Sequence, residues 1–230
     1  MPKIRAILFD LDNTLVDFIQ MKEESCRASV KAMVASGLQM KEDQAFELLM
    51  KTYFDVGIES NIAFSEFLKS IDQFDHKILA SGINTYLKTK NKFLKPYPNV
   101  KPVLGKLKRK GIFLSIVTDA PKTNAYQRLL GMDIEPFFKF VVGYEDTNKS
   151  KHTGLPLLRA LEMLRKECPG IAYSEILMVG DSQEKDIVPA KELGLKTALA
   201  KYGQKTPAIG CADYQILDFK EIIDIVENIQ

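Results

Sequence analysis

Asp10 and Asp12 stand two residues apart, closing the short apolar run Ile4-Arg5-Ala6-Ile7-Leu8-Phe9. Polar groups close later apolar runs in the same way. Thr118-Asp119 follows Ile112–Val117, and Gly180-Asp181-Ser182 follows Ile176–Val179. A loop beginning at Gly143 carries Lys149 and Lys151. Brought together, three carboxylates repel, and some would hold protons unless a cation joined them. Such an oxygen-rich set suits Mg²⁺, which takes phosphate as a further ligand. A lysine, a hydroxyl and turn amides complete a pocket for a phosphoryl group. A carboxylate can then act as nucleophile and form an aspartyl-phosphate.

What must position these groups is a parallel sheet. The runs are too short for helices and rich in Ile, Leu, Val and Phe, the pattern of strands buried on both faces. In open α/β sheets, ligands bind outside the carboxyl ends of such strands. Helices are expected over Val100–Lys110, from about Ala120, over 154–166, up to Leu193, and from Asp218 to Ile229. Asp119 would cap the second of these, with Pro121 in its first turn. Further strands are expected at Phe138–Val142 and through Thr197–Leu199. Alternating strands and helices imply βαβ units around one sheet, an α/β fold.

From Asp17 to about Asn91 the texture changes to apolar residues at helical spacing, with Gly37 as a helix stop. Four short helices would make a small bundle. This block reads as a domain, residues 17–91, inserted into an α/β core of residues 1–16 and 92–230, with linkers near 15–20 and 88–98. Lys95-Pro96-Tyr97-Pro98 marks the return as an extended connector.

Asp10-Leu11-Asp12-Asn13-Thr14 resembles the DxDxT motif of the haloacid dehalogenase-like superfamily. Ser115-Ile116-Val117-Thr118 is similar to its second motif, and Gly180-Asp181-Ser182-Gln183-Glu184-Lys185-Asp186 to its GDSxxxD motif. The lysine of the third motif is placed by spacing at Lys151 rather than Lys149, although Lys151-His152-Thr153-Gly154 lacks the prolines usual there. The resemblance spans the chain. It implies a Rossmann-like parallel sheet flanked by helices, with residues 17–91 as a small helical cap of the C1 type. Asp10 would attack phosphorus and bind Mg²⁺. Asp12 would protonate the leaving alcohol and then activate water, while its backbone carbonyl reaches the metal. Thr118 and the amide of Asp119 would hold phosphoryl oxygens, with Lys151 steadying Asp10 and the phosphate. Asp181 would bind Mg²⁺, and Asp186 would support it.

The implied reaction is Mg²⁺-dependent hydrolysis of a small phosphorylated metabolite. A dehalogenase expels halide and needs no acid at Asp12, so an ester with an alcohol leaving group is favoured. A phosphosugar mutase keeps the same aspartates, and a module that binds phospholigands without turnover is the reading from another class. Phe18, Met21 and Arg27, just past the first motif, are candidates for contact with substrate. Each is also explained as helix packing or a solvated charge.

The rest of the composition restricts partners. Net charge is +2, and 27% of the 230 residues are charged, with the basic ones scattered, which speaks against nucleic acid or an anionic membrane as partner. No apolar run approaches a membrane span. Three widely spaced cysteines fit a reducing, cytoplasmic setting. Two histidines and no CxxC give no zinc pattern.

Overall fold

Ala6–Phe9 form strand β1, and all four side chains are buried. The structure, a computed structural model, describes residues 3–204 and 210–228. Contacts divide the chain into a sheet unit, Met1–Asp17 with Lys95–Gln230, and a helical unit, Phe18–Leu94.

The helical unit consists of α1 (Phe18–Ala35), α2 (Glu42–Val56), α3 (Ala63–Ser70) and α4 (His76–Phe93). Asp75 caps α4 by accepting from the amides of Lys77 and Ile78, and Gly37 lies just beyond α1 with φ of 120°. The helix α4 runs to Phe93 rather than ending by 91, because the backbone ladder continues until Leu94 N–H bonds Lys90 O. Leu49, Phe64, Phe67 and Leu68 pack with Val30 and Met33 of α1 in one apolar core. Lys22 is buried within this unit. Its ammonium lies 3.2 Å from the centroid of the Tyr53 ring and donates to Tyr86 Oη at 3.1 Å, which offsets its desolvation. Phe18 and Met21 are buried too, and Arg27 lies over the Phe46 ring and 3.9 Å from Asp43.

In the sheet unit, α5 (Val100–Arg109) leads to β2 (Phe113–Val117), α6 (Lys122–Gly131) and β3 (Val141–Val142). Then come α7 (Leu155–Glu167), β4 (Ile176–Gly180), α8 (Val188–Glu192), β5 (Lys196–Ala200), β6 (Tyr214–Ile216) and α9 (Glu221–Asn228). Among the described residues the six strands make one sheet in the order β3-β2-β1-β4-β5-β6, with every neighbouring pair parallel. This is the doubly wound order, in which the chain reverses direction across the sheet beside β1. Because side chains alternate, Ala6 and Leu8 share a cluster with Leu157, Leu161 and Leu164 of α7. On the other face the Phe9 ring stacks 5.7 Å from Phe219. Each of those α7 leucines contributes about 1.5–3 kcal/mol of burial as an upper bound.

Three local expectations are corrected. The strand expected at Phe138–Val142 shrinks to Val141–Val142, the part that follows a 3₁₀ turn at Glu135–Phe137. The helix expected to run unbroken to Leu193 begins as a π-helical turn, Gln183–Ile187, before α8. The last helix starts at Glu221 rather than Asp218, and Ile229 lies outside the described residues. Strand β6 was not anticipated.

Two features tie down the chain after β1. Asn13 adopts a left-handed conformation (φ 61°) that Asn tolerates better than most residues, and its N–H returns to Val16 O at 2.7 Å. Val16 then bridges to Pro96, and Tyr97 N–H donates to Leu15 O at 2.8 Å. The returning chain is thereby stapled to the outgoing one within the sheet unit.

Candidate active site

The central position of β1 determines where Asp10 lies. Its N–H still bonds Val179 O of β4 at 2.9 Å, so the residue ends a strand flanked on both sides. The buried Asp10 carboxylate accepts from Thr14 Oγ1 at 3.0 Å and forms an ion pair with Lys151 Nζ. The tight turn at Asn13 carries the Thr14 hydroxyl back to Asp10, and Tyr202 Oη holds the turn by donating to Thr14 O at 2.8 Å.

Lys151 is buried, while Lys149 is exposed. The Lys151 ammonium meets Asp186 Oδ1 at 2.6 Å as well as Asp10. Burial works against its charge, but Asp10, Asp186 and Asp119 together hold its pKa well above the ordinary lysine value. The loop bearing Lys151 is anchored by Asp119, which accepts from Ser150 Oγ at 2.7 Å and from Lys151 N–H at 2.8 Å. Burial alone would raise the Asp119 carboxyl. Lys151 and these hydrogen bonds hold it below the usual range. Asp119 is therefore not the cap of α6, as the sequence had suggested. Pro121 occupies that position, and the carboxylate is used across the sheet edge instead.

Thr118 continues the β2 ladder through its N–H to Val142 O at 2.9 Å. Its buried hydroxyl accepts from Ala120 N–H at 3.1 Å.

β4 ends on Gly180, Asp181 follows, and the π-helical turn sends Asp186 back over the strand end. A Cβ on Gly180 would lie 2.3 Å from Asp186 Oδ2, so only glycine leaves room for that carboxylate. Asp186 is fully buried, with Oδ1 on Lys151 and Oδ2 accepting from Ser182 N–H at 3.0 Å. Asp181 is part-exposed, and its backbone carbonyl accepts from Gln204 Nε2 at 3.1 Å. Beside it the chain comes so close to the first turn that a Cβ on Gly203 would sit 1.6 Å from Asn13 O.

Asp10, Asp181 and Asp186 each present an oxygen within 4.8 Å of the others, a spacing that could hold a metal ion. Burial, reinforced by the charges of Asp10 and Asp186, pushes the Asp181 carboxyl up to about 8. The cluster thus carries more negative charge than Lys151 alone balances, and a divalent cation fits it. Both oxygens of Asp10 and both of Asp186 already have partners, whereas Asp181 is the part-exposed member of the cluster.

The Asp12 side chain takes no part in that cluster. Arg128 of α6 donates from Nη2 to Asp12 Oδ2 at 3.0 Å, and its Nε lies 3.0 Å from Oδ1. Sequence reasoning missed Arg128. Its only local sign is a charge at helical spacing from the buried Ala125, on the inward side of α6. His76 and His152 are exposed.

A buried carboxylate at a strand end, a buried lysine paired with it and an acidic cluster beside them agree with comparisons against known proteins. A family model described as haloacid dehalogenase-like hydrolase matches residues 7–200. The chain belongs to that family. It is 34% identical over 230 residues to a glyceraldehyde 3-phosphate phosphatase of Methanocaldococcus jannaschii, covering 99% of each chain. The protein of the same name from Pyrococcus furiosus is 27% identical over 99% of this chain and 95% of its own. Among solved structures, a HAD phosphatase from Thermococcus onnurineus superimposes with a TM-score of 0.72 at 24% identity, over 97% of this chain and 98% of that one. At that identity the likeness speaks for the shared family fold.

Proposed function

We propose that this family member is a Mg²⁺-dependent phosphatase that hydrolyses a small phosphomonoester in two steps through Asp10. The observation that carries the reading is the Asp10 carboxylate itself, held at the end of β1 by Thr14 and Lys151 and close to Asp181. In the first step an Asp10 oxygen forms the bond to phosphorus as the ester P–O bond breaks, and Asp12 supplies the proton to the leaving alcohol. In the second, water attacks the aspartyl-phosphate, Asp12 takes its proton, and Asp10 is regenerated. Lys151, Thr118 and the amide of Asp119 bind phosphoryl oxygens. Asp10, the Asp12 carbonyl and Asp181 would hold Mg²⁺, with Asp186 in support. The bound cation neutralises charge on the phosphoryl group and on the carboxylates.

The relatives named for glyceraldehyde 3-phosphate make a phosphorylated three-carbon aldehyde the first substrate to try. We assign the helical unit the role of cap, excluding water and choosing among substrates. The cysteines Cys26, Cys168 and Cys211 are unpaired, in keeping with a reducing cytoplasm, and no described helix is long and apolar enough to cross a membrane. The decisive assay is phosphate release from D-glyceraldehyde 3-phosphate with Mg²⁺ and with EDTA. Release that depends on Mg²⁺ is expected. Undiminished release in EDTA overturns the metal requirement, and inertness toward this and other phosphoesters overturns the phosphatase reading.

A second expectation concerns pH. With its carboxyl raised to about 8, Asp181 of the metal-free fold binds more proton than the unfolded chain between its ordinary carboxylate value and that point. Its contribution to stability is therefore lost as pH rises through this window. A cation takes the place of the proton, so the gain in Tm on adding Mg²⁺ should be larger at about pH 8 than at about pH 6. Thermal melts in matched buffers check this, and equal gains would count against Asp181 as a ligand.

A further inference from the structure

Arg128 has the largest side chain among the fully buried residues of the sheet unit, 2% exposed, on the inward side of α6 with Ala125 and Leu129. A guanidinium taken out of water costs several kcal/mol unless it is paired. A core packed only for stability would favour an apolar residue of similar volume, and replacing buried ion pairs in that way is often neutral or better. Here the charge reaches from the last turn of α6 to a carboxyl 116 residues earlier in the chain.

Nη2 donates a hydrogen bond to Oδ2 at 3.0 Å, and Nε stands 3.0 Å from Oδ1 as an ion-pair contact without the alignment of a second hydrogen bond. A planar guanidinium set beside both oxygens of a carboxylate constrains its position and the tilt of its plane more than the point charge of a lysine does. Asp12 belongs to the turn that follows β1, and its side chain is 21% exposed. A misplacement of about 1 Å in a reacting group can cost about 10²-fold in rate.

We propose that Arg128 is a positioning residue, whose guanidinium holds the Asp12 carboxylate in the orientation from which it takes a proton from the water attacking the aspartyl-phosphate. In that step the water oxygen bonds to phosphorus, the bond from phosphorus to Asp10 breaks, and the water proton passes to Asp12. The proposal rests on the two-step phosphatase reading and concerns its second half.

The two halves separate with p-nitrophenyl phosphate, whose leaving group departs as a stable anion and needs little help from an acid. In Arg128→Met, phosphorylation of Asp10 should continue while hydrolysis of the intermediate slows. Stopped-flow absorbance should show a burst of about one p-nitrophenolate per site, then steady turnover reduced by about 10²-fold. KM should fall with kcat, leaving kcat/KM within about fivefold of wild type. Asp12→Asn should show the same burst, and adding Arg128→Met to it should cost little more, because the two residues act as one unit. If Arg128→Met does not fold, Arg128→Lys serves in the same assay, since it keeps the charge and loses the planar guanidinium. A parallel loss of kcat and kcat/KM without a burst overturns the proposal and leaves Arg128 a structural ion pair. A wild type inert toward the ester overturns the phosphatase reading, and the role of Arg128 with it.

Discussion

Asp10→Asn should release phosphate at least about 10³-fold more slowly than wild type, with its fold intact. The amide is nearly isosteric with the carboxylate, so Thr14 keeps a partner of the same shape, and Lys151 retains Asp186. What is lost is the electron pair that attacks phosphorus. The change also removes one of the two like charges that raise Asp181, so the cluster becomes less strained electrostatically. The signature is therefore a chemical loss without a thermal one. Two measurements decide it: phosphate release, and retention of a phosphoryl label on the denatured protein after brief exposure to labelled substrate. Label on wild type and none on Asp10→Asn is expected. A variant that still turns over at the wild-type rate removes Asp10 as the nucleophile.

Lys151→Met should damage both stability and activity. Its ammonium is the shared counterion of two buried carboxylates, Asp10 and Asp186. Deleting one partner from a buried ionic cluster typically costs about 3–5 kcal/mol, because the remaining charge stays desolvated. For a domain of this size that corresponds to a fall in Tm of roughly 6–20 °C. Adding Asp186→Asn to the Lys151 variant should recover part of the loss, since it removes one uncompensated charge. Lys149→Met should stay within about 0.5 kcal/mol of wild type, as expected for an exposed position. Thermal melts of the three variants settle the matter. Equal costs at 149 and 151 would contradict the buried ion triad.

The strands that end at the site were legible in the sequence because a strand buried on both faces is apolar along most of its length, Ser115 of β2 being the exception. That constraint marks β1, β2 and β4, and the first polar residue after each shows where the sheet edge begins. Short edge elements carry no such mark. Tyr214–Ile216 is three residues with one exposed side chain, too little for any periodicity, so β6 passed unnoticed. Chain-local reasoning also misjudged Asp119. A carboxylate just before a helix reads as a cap, yet its hydrogen bonds go to a loop 31 and 32 residues later. The pairing of Arg128 with Asp12 was hidden for the same reason. Spacing reports neighbours along an element, and this contact exists only once α6 has packed beside the turn that follows β1.

The staple between Leu15–Val16 and Pro96–Tyr97 has a consequence for how the chain can vary. The sheet unit itself joins the two ends of whatever lies between them, so the helical segment has no part in closing the loop. For a flexible connection, doubling the length would cost only about 0.6 kcal/mol of closure entropy. The junction works as a socket: helices can be lengthened, trimmed or exchanged there while β1 and its two acids keep their register.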